Sequence, residues 1–287
     1  MTIDHLNSGR PLFSRLPNGI YDIIRFLSPG LMVDCGAAVG GVTAKLRAAS
    51  PKSPVIAFEP FPGNHRYFEQ RHAQDPLVTL YKAAVGARRG TASFFTPSTV
   101  RSASRIKATP DASFIGRIDD ERPPDGNKVI SVDVLPLDEV CAERVRFLKV
   151  DVQGGECATL EGAAKLIENR AIDVIYIELF RNPELLLKMG ALGFVMFDNE
   201  YVVSPRPGGD ISRWVKTEDL ILSTGQSSFR GWPVNMPTQI EDYNRWVERE
   251  SAVAGPLSTD LVAVRQSFLP DLLEATAKAL RAIETAG

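Results

Sequence analysis

Two acids and a glycine turn are the first residues in this sequence with the types and spacing to do chemistry. In "LMVDCGAAVGGVTAKL", residues 31–46, Asp34 stands just before a turn with glycines at 36, 40 and 41, and a helical pattern follows. Glu59 closes a second apolar run, "PVIAFEP". Glycines let the chain turn tightly from strand into helix and leave backbone N–H groups near the helix start. A dinucleotide site would use G-x-G-x-x-G, with its acid at the end of the second strand. Here the spacing is Gly36-x-x-x-Gly40, and an acid stands at the end of both strands. A carboxylate beside the turn repels a pyrophosphate and suits a ligand that carries an ammonium and a sulfonium. Glu59 would accept hydrogen bonds from two ribose hydroxyls. The pair therefore favours S-adenosylmethionine over NAD. On this reading Asp34, Gly36, Ala37, Ala38 and Gly40 surround the amino-acid end, Glu59 holds the ribose, and Pro60 and Phe61 flank the adenine. A structural α/β turn without a ligand is the plain alternative.

Further carboxylates fall where such a ligand would react. Asp151 ends a fourth apolar run, "RVRFLKVDV", and Glu178 ends a fifth, "DVIYIELF". Methyl transfer is largely a matter of positioning, but an alcohol acceptor must also lose a proton to a base within hydrogen-bond reach. Asp151 is the first candidate for base or hydroxyl orienter, with anchoring the methionine amine or a neighbouring loop as its competing role. Glu178 is the candidate for a second catalytic carboxylate. Together they could bind a divalent cation, yet no third ligand is evident, so metal independence is expected. Lys149 points away from its neighbours at 148 and 150, which fits pairing as well as function. His65 and His72 lie seven apart on one helical face, too near the adenosine end for the methyl-transfer base; a packed or solvated role suits them better.

Trp214, Trp232 and Trp246, with Tyr243, are the main sequence signal for an acceptor. Their faces stack on sugar rings and on flat polyketides alike. Arg213, Arg230 and Arg245 could read an acidic group there, and Ser98, Ser102 and Ser104 could reach cofactor or substrate; solvated surface explains both sets equally well.

The elements that must position these residues follow from hydrophobic patterning. Apolar runs alternate with helical periods: "LMVDCGA", "PVIAFEP", "LVTLYKAAVG", "RVRFLKVDV", "DVIYIELF" and "GFVMFDNEYVV" read as strands. Helices are expected between them, including one from about 156 to 169 with Leu160, Ala163 and Ile167 buried. Strands apolar almost throughout and alternating with helices imply a doubly wound, mostly parallel sheet with helices on both faces, binding ligands at its carboxyl edge. Residues 91–134 read as a β excursion, and "DLVAVRQ" as a final strand with "EDLIL" (218–222) as its rival. A terminal helix carries Leu269, Leu272, Leu273, Leu280 and Ile283 on one face, for core packing or a dimer contact. The division expected is a helical segment over 1–30 with Ile20, Ile23, Ile24 and Leu27 inward, a cofactor core over 31–205, an insertion with the character of a substrate lid over 206–258, and a strand and helix over 259–287.

Composition narrows the class. A chain of 287 residues with 44% hydrophobic and 24% charged residues can bury a large core. A net charge of -2 offers nothing to a nucleic-acid backbone. No apolar run reaches the roughly 18 residues of a membrane span, and the first residues lack a signal-peptide pattern. Cys35, Cys141 and Cys157 show neither zinc nor redox spacing, which with the rest suggests a cytoplasmic setting.

At this point "VDCGAAVGGVTAKL", "VIAFEPFPGNHRYF", "AAVGARRGTASFF", "VDVLPLDEV", "FLKVDVQGGECATLEGA" and "VIYIEL" occur in the order and spacing of FkbM-type methyltransferases. The chain resembles that family over roughly residues 31–200, and the K-x-D-x-x-G-x-E block at Lys149–Glu156 is the most specific part. The resemblance implies a class I, Rossmann-like fold, S-adenosylmethionine as cofactor, and methylation of hydroxyls on sugars or polyketide-type metabolites. It maps Asp34, Gly36 and Gly40 to the methionine loop, Glu59 to the ribose acid, and Lys149, Asp151 and Glu156 to the fourth-strand block. Gln153 stands where the family often has Glu, and no catalytic role is given to it. The competing expectations are a non-catalytic cofactor-binding scaffold and an NAD-dependent dehydrogenase.

Overall fold

The structure, a computed structural model, describes residues 16, 18–97, 117–118, 127–180, 189, 192–198 and 258–285. In chain order its elements begin with α1 (Ile20–Ile24), β1 (Leu31–Cys35), α2 (Gly41–Ala49), β2 (Val55–Phe58), α3 (Pro62–His72) and β3 (Val78–Tyr81). Next come β4 (Ala84–Val85), β5 (Gly90–Pro97), β6 (Arg117–Ile118), β7 (Asn127–Leu135), α4 (Leu137–Val140) and β8 (Val145–Val150). The chain continues through α5 (Glu156–Glu161), α6 (Ala164–Glu168), β9 (Ile172–Phe180), β10 (Phe194–Asp198), β11 (Ser258–Arg265) and α7 (Leu269–Glu284). Two compact units result, Pro29–Asp173 and Met1–Ser28 with Val174–Gly287.

The first unit contains the parallel ladder. β1 pairs in parallel with β2 on one side and with β8 on the other, and β3 extends the ladder beyond β2. All five residues of β1 are buried, Asp34 included. That is the pattern of a strand covered on both faces. Thr43, Leu46 and Ala49 recur at helical spacing on the buried face of α2. Phe58, Phe68, Phe147, Met32 and Leu46 are fully buried and form the centre of the packing. Because the chain passes from β1 to β2 on one side and only later sets β8 on the other, the carboxyl end of β1 lies at the point where the winding reverses, the place where α/β sheets bind ligands.

Three sequence expectations change in this unit. The third apolar run divides: β3 stays in the parallel ladder, whereas Ala84 and Val85 pair with Val134 and Leu135 in a second sheet of β4, β7, β5 and β6. That sheet is the expected β excursion, and its cluster of Ala84, Phe94, Val132 and Val134 packs on Phe61. The expected 156–169 helix breaks into α5 and α6 around Gly162, which lies so near the Gly86 carbonyl that a side chain there would collide with backbone. The restart changes the inward face, so Leu166 is buried in place of Ile167.

The second unit is antiparallel. β11 lies between β9 and β10, with Thr259 opposite Leu179 and Ala263 opposite Met196. It is the final strand expected at 260–266; "EDLIL" lies outside the described residues. α7 packs on α1, whose Ile20, Ile23 and Ile24 are buried as expected. Leu269, Leu272 and Leu273 are buried and Leu280 is half-buried, but Ile283 is exposed, so the apolar face stops short of the helix end. No helix among the described residues is long and apolar enough to cross a membrane.

Candidate functional site

The turn after β1 is closed. Gly36, Ala38 and Gly40 all have positive φ, at 78°, 49° and 81°. The turn is tied to β2 by the N–H groups of Gly36 and Ala37, which both donate to the Phe58 carbonyl. Gly36 is obligatory for a second reason: a Cβ there would collide with the backbone carbonyl of Asp151. Parallel register sets Asp34 beside Lys149, and both side chains are buried. Lys149 Nζ donates to the carbonyls of Gly36 at 2.8 Å and Cys35 at 3.2 Å and lies 3.3 Å from Asp34 Oδ1. Asp34 Oδ2 accepts from Thr43 Oγ1 at 2.7 Å, while Oδ1 lacks a well-aligned donor and is balanced by the ammonium alone. The carboxylate expected to face a cationic ligand is thus directed inside the protein, because the strand alternation that carries it to the turn also carries it onto Lys149. Burial pulls the Lys149 ammonium toward neutrality, but Asp34 first and Asp151 next more than offset this, and its pKa stands above the usual lysine range.

Glu59, after β2, braces the turn from the other side and is 5% exposed. Oε2 accepts from the Ala38 N–H at 2.7 Å, and Oε1 accepts from the Phe61 N–H at 2.8 Å and from Asn64 Nδ2 at 3.2 Å. These three bonds use most of the roughly four acceptor positions of a carboxylate. Burial pushes the Glu59 carboxyl above its usual range, and the bonds from Phe61, Asn64 and Ala38 draw part of that back. Phe61, half-buried at the start of α3, stacks on Phe94 at 6.3 Å between centroids. His65 Nε2 meets the Glu59 carbonyl at 2.8 Å and His72 Nε2 the Gly40 carbonyl at 3.0 Å, so each histidine is the structural partner of a turn, His65 of the one after β2 and His72 of the one after β1.

The loop after β8 is open by contrast. The Asp151 N–H donates to Cys35 at 3.2 Å, which sets it beside the glycine turn, yet its side chain is 41% exposed. Oδ2 lies 3.5 Å from Lys149 Nζ, and Oδ1 accepts from Gln153 Nε2 at 2.7 Å. Glu156 is buried and accepts through Oε1 from the N–H groups of Val152 and Gly154. The K-x-D-x-x-G-x-E spacing is thereby explained: the lysine joins two strand ends, the aspartate stands out, and the final glutamate folds the loop between them.

The other expected residues divide between the two units and the undescribed segments. Glu178, half-buried, is on β9 opposite Asp260 of the second unit. Trp214, Trp232, Trp246, Tyr243, Arg213, Arg230, Arg245, Ser98, Ser102 and Ser104 lie outside the described residues, as does most of 206–258. Thr43, Asn64 and Gln153 were missed by sequence reasoning. A lysine embedded in an apolar strand was a usable signal that it has a buried acidic partner, though only the register names Asp34; nothing in the sequence marks Gln153 as a partner of Asp151.

The fold and site together define an α/β protein with an acidic edge at its switch point. The sequence profile of the "Methyltransferase FkbM domain" matches residues 34–196, more than half of the chain. The chain belongs to the FkbM methyltransferase family, and its fold is α/β with a mostly parallel sheet. It is similar to "Methyltransferase 1" of Beauveria bassiana (strain ARSEF 2860), at 27% identity over 154 residues, covering 50% of this chain and 61% of that protein. The chain therefore spans about three fifths of the length of this curated relative. Among solved structures, the FkbM methyltransferase from Methylobacillus flagellatus KT aligns with 16% identity and a TM-score of 0.39, over 67% of this chain and 46% of that one. An O-methyltransferase from a trans-AT PKS multienzyme of Brevibacillus brevis, in complex with S-adenosyl-L-homocysteine, aligns with 9% identity and a TM-score of 0.38, over 92% and 83% of the respective chains.

Proposed function

We propose that the protein is an S-adenosylmethionine-dependent O-methyltransferase acting on a hydroxyl of a sugar or a polyketide-type metabolite. One observation carries the reading: at the switch point of the sheet, the carboxylates of Asp34, Glu59 and Asp151 gather about the ammonium of Lys149. A cluster with that excess of negative charge suits a ligand bearing an ammonium and a sulfonium, and it disfavours a pyrophosphate. S-adenosylmethionine supplies an electrophilic methyl group when bound. The turn at Gly36–Gly40, with Ala37 and Ala38, would hold its amino-acid end, Glu59 a ribose hydroxyl, and Pro60 and Phe61 the adenine. Asp34 acts one step removed, by fixing Lys149 and α2 beneath the turn.

The ligand-facing charge then belongs to Asp151, whose half-exposed carboxylate can accept the proton of an attacking hydroxyl. Glu178 is retained as a second carboxylate, and Trp214, Trp232 and Trp246 as acceptor contacts. The proposal needs no metal, and among the described residues no group of His, Cys, Asp and Glu is gathered to hold one.

The test has two stages. S-adenosylhomocysteine should raise the melting temperature and NAD should not, since only a ligand of the native state stabilises it by mass action. Stabilisation by NAD alone would overturn the cofactor assignment. Incubation with S-adenosylmethionine and a panel of glycosides and hydroxylated polyketides should then release S-adenosylhomocysteine with a methylated product. On the acceptor so found, Asp151→Asn should lower turnover by roughly 10²–10⁴-fold, with calorimetric affinity for S-adenosylhomocysteine nearly unchanged. Unaltered rate together with unaltered affinity would place the chemistry elsewhere.

A further inference from the structure

Gln153 holds a left-handed backbone, with φ 59°, and Gly154 follows at φ 106°. A glutamine keeps that conformation only where its surroundings impose it, and such residues concentrate at functional sites. Here the imposing group is identifiable. Glu156, 5% exposed, turns back over the loop and accepts from the N–H of Val152 at 3.3 Å and of Gly154 at 3.1 Å, the two residues flanking 153. The turn so made returns the Gln153 side chain to the strand end, where Nε2 donates to Asp151 Oδ1 at 2.7 Å. Among the described residues, the charged group that meets Asp151 is Lys149 from β8, with Asp34 of β1 behind it, while Glu156 is bonded to the loop backbone at Val152 and Gly154.

We propose that Gln153 is the positioning residue for Asp151: its amide occupies Oδ1 and fixes the carboxylate so that Oδ2 is the oxygen offered to an acceptor hydroxyl. This rests on the role given to Asp151 above. An amide fits the task because it donates one hydrogen bond without adding charge. A carboxylate at 153 would set two like charges within hydrogen-bond distance, and glycine would free Asp151 to change rotamer.

Two variants and one reference mutant test this, on whichever panel compound releases most S-adenosylhomocysteine. Gln153→Gly removes the amide and relieves the left-handed strain. Its melting temperature should stay level or rise while kcat falls roughly 10–100-fold, the effect of a misplaced reacting group. Gln153→Glu should move the acid limb of the kcat/KM profile upward by about one pH unit or more. The same displacement should appear in the ¹³C titration of the Asp151 carboxyl carbon in the protein without acceptor. An unchanged kcat in Gln153→Gly, or an Asp151 titration in Gln153→Glu that overlays the parent curve, would overturn the proposal. Asp151→Asn separates the two levels: if it leaves the rate intact, the role of Asp151 fails and this inference with it. If it cuts the rate while Gln153→Gly does not, only the positioning role fails.

Discussion

The turn after β1 and the loop after β8 leave the same edge of the parallel ladder, and both contain left-handed residues. Their acids nevertheless have opposite fates. Asp34 is fully buried, shared between Thr43 and Lys149, while Asp151 two residues beyond that lysine is 41% exposed. The first turn is a foundation and the second a presenting surface, and Lys149 is the charge they have in common. An acid's place in a motif therefore does not say whether it touches a ligand; the partner across the strand decides.

The strongest way to break this comparison is to remove the shared charge. Lys149→Met leaves Asp34 buried and uncompensated, and it should cost about 3–5 kcal/mol in urea unfolding. Its charge-matched companion, Asp34→Asn with Lys149→Met, should recover much of that. Because the folded-state pKa of Lys149 is raised, its contribution is complete below the unfolded lysine value and fades only as pH climbs through the folded one. The deficit of Lys149→Met should thus be constant from pH 6 to 9; a deficit that vanished at neutral pH would deny the pairing.

Glycine substitutions sharpen the contrast at intermediate size. Gly36→Ala drives a methyl group into the Asp151 carbonyl in a left-handed conformation, whereas a Cβ at Gly154 has nothing within 4 Å. The first should cost about 2–5 kcal/mol, overpacking added to backbone strain. The second should cost only the left-handed penalty of about 1–2 kcal/mol. Equal losses in denaturant titrations would mean that the two loops are equally enclosed.

The smallest effect is chemical. Cys35 closes β1, and burial foremost, with Asp34 adding to it, raises its thiol well above the usual range; burial raises Cys141 to about 12. Cys157 follows the open loop on α5 and is half-buried. Thiol reagent at pH 8 should label Cys157 in the native protein, and Cys35 and Cys141 only after unfolding. Native labelling of Cys35 would show that the first turn opens in solution.

Much of the fold was legible because parallel strands buried on both faces write themselves as continuous apolar runs, and β1, β2, β8 and β9 lie where those runs are. The errors come from tertiary contacts. Helical periodicity could not show that Gly162 must approach the Gly86 backbone, nor that the third run would serve two sheets. Of the site, Glu59 and Asp151 were placed at strand ends by pattern alone. The burial of Asp34 was hidden because it depends on cross-strand register, and Gln153 because backbone conformation at a non-glycine residue leaves no mark in composition.

In the second unit β11 fills a space between two strands that precede it in the chain. β9 and β10 do not pair with each other there, so each has an edge that only residues roughly 60 to 90 positions further on satisfy, a slow kind of closure. A chain with β11 unseated would hold a vacancy one strand wide, with the hydrogen-bonding pattern of a template. The same segment from a second molecule fits the vacancy as well as the chain's own does, so the ladder is completed by a race that dilution favours the chain itself to win.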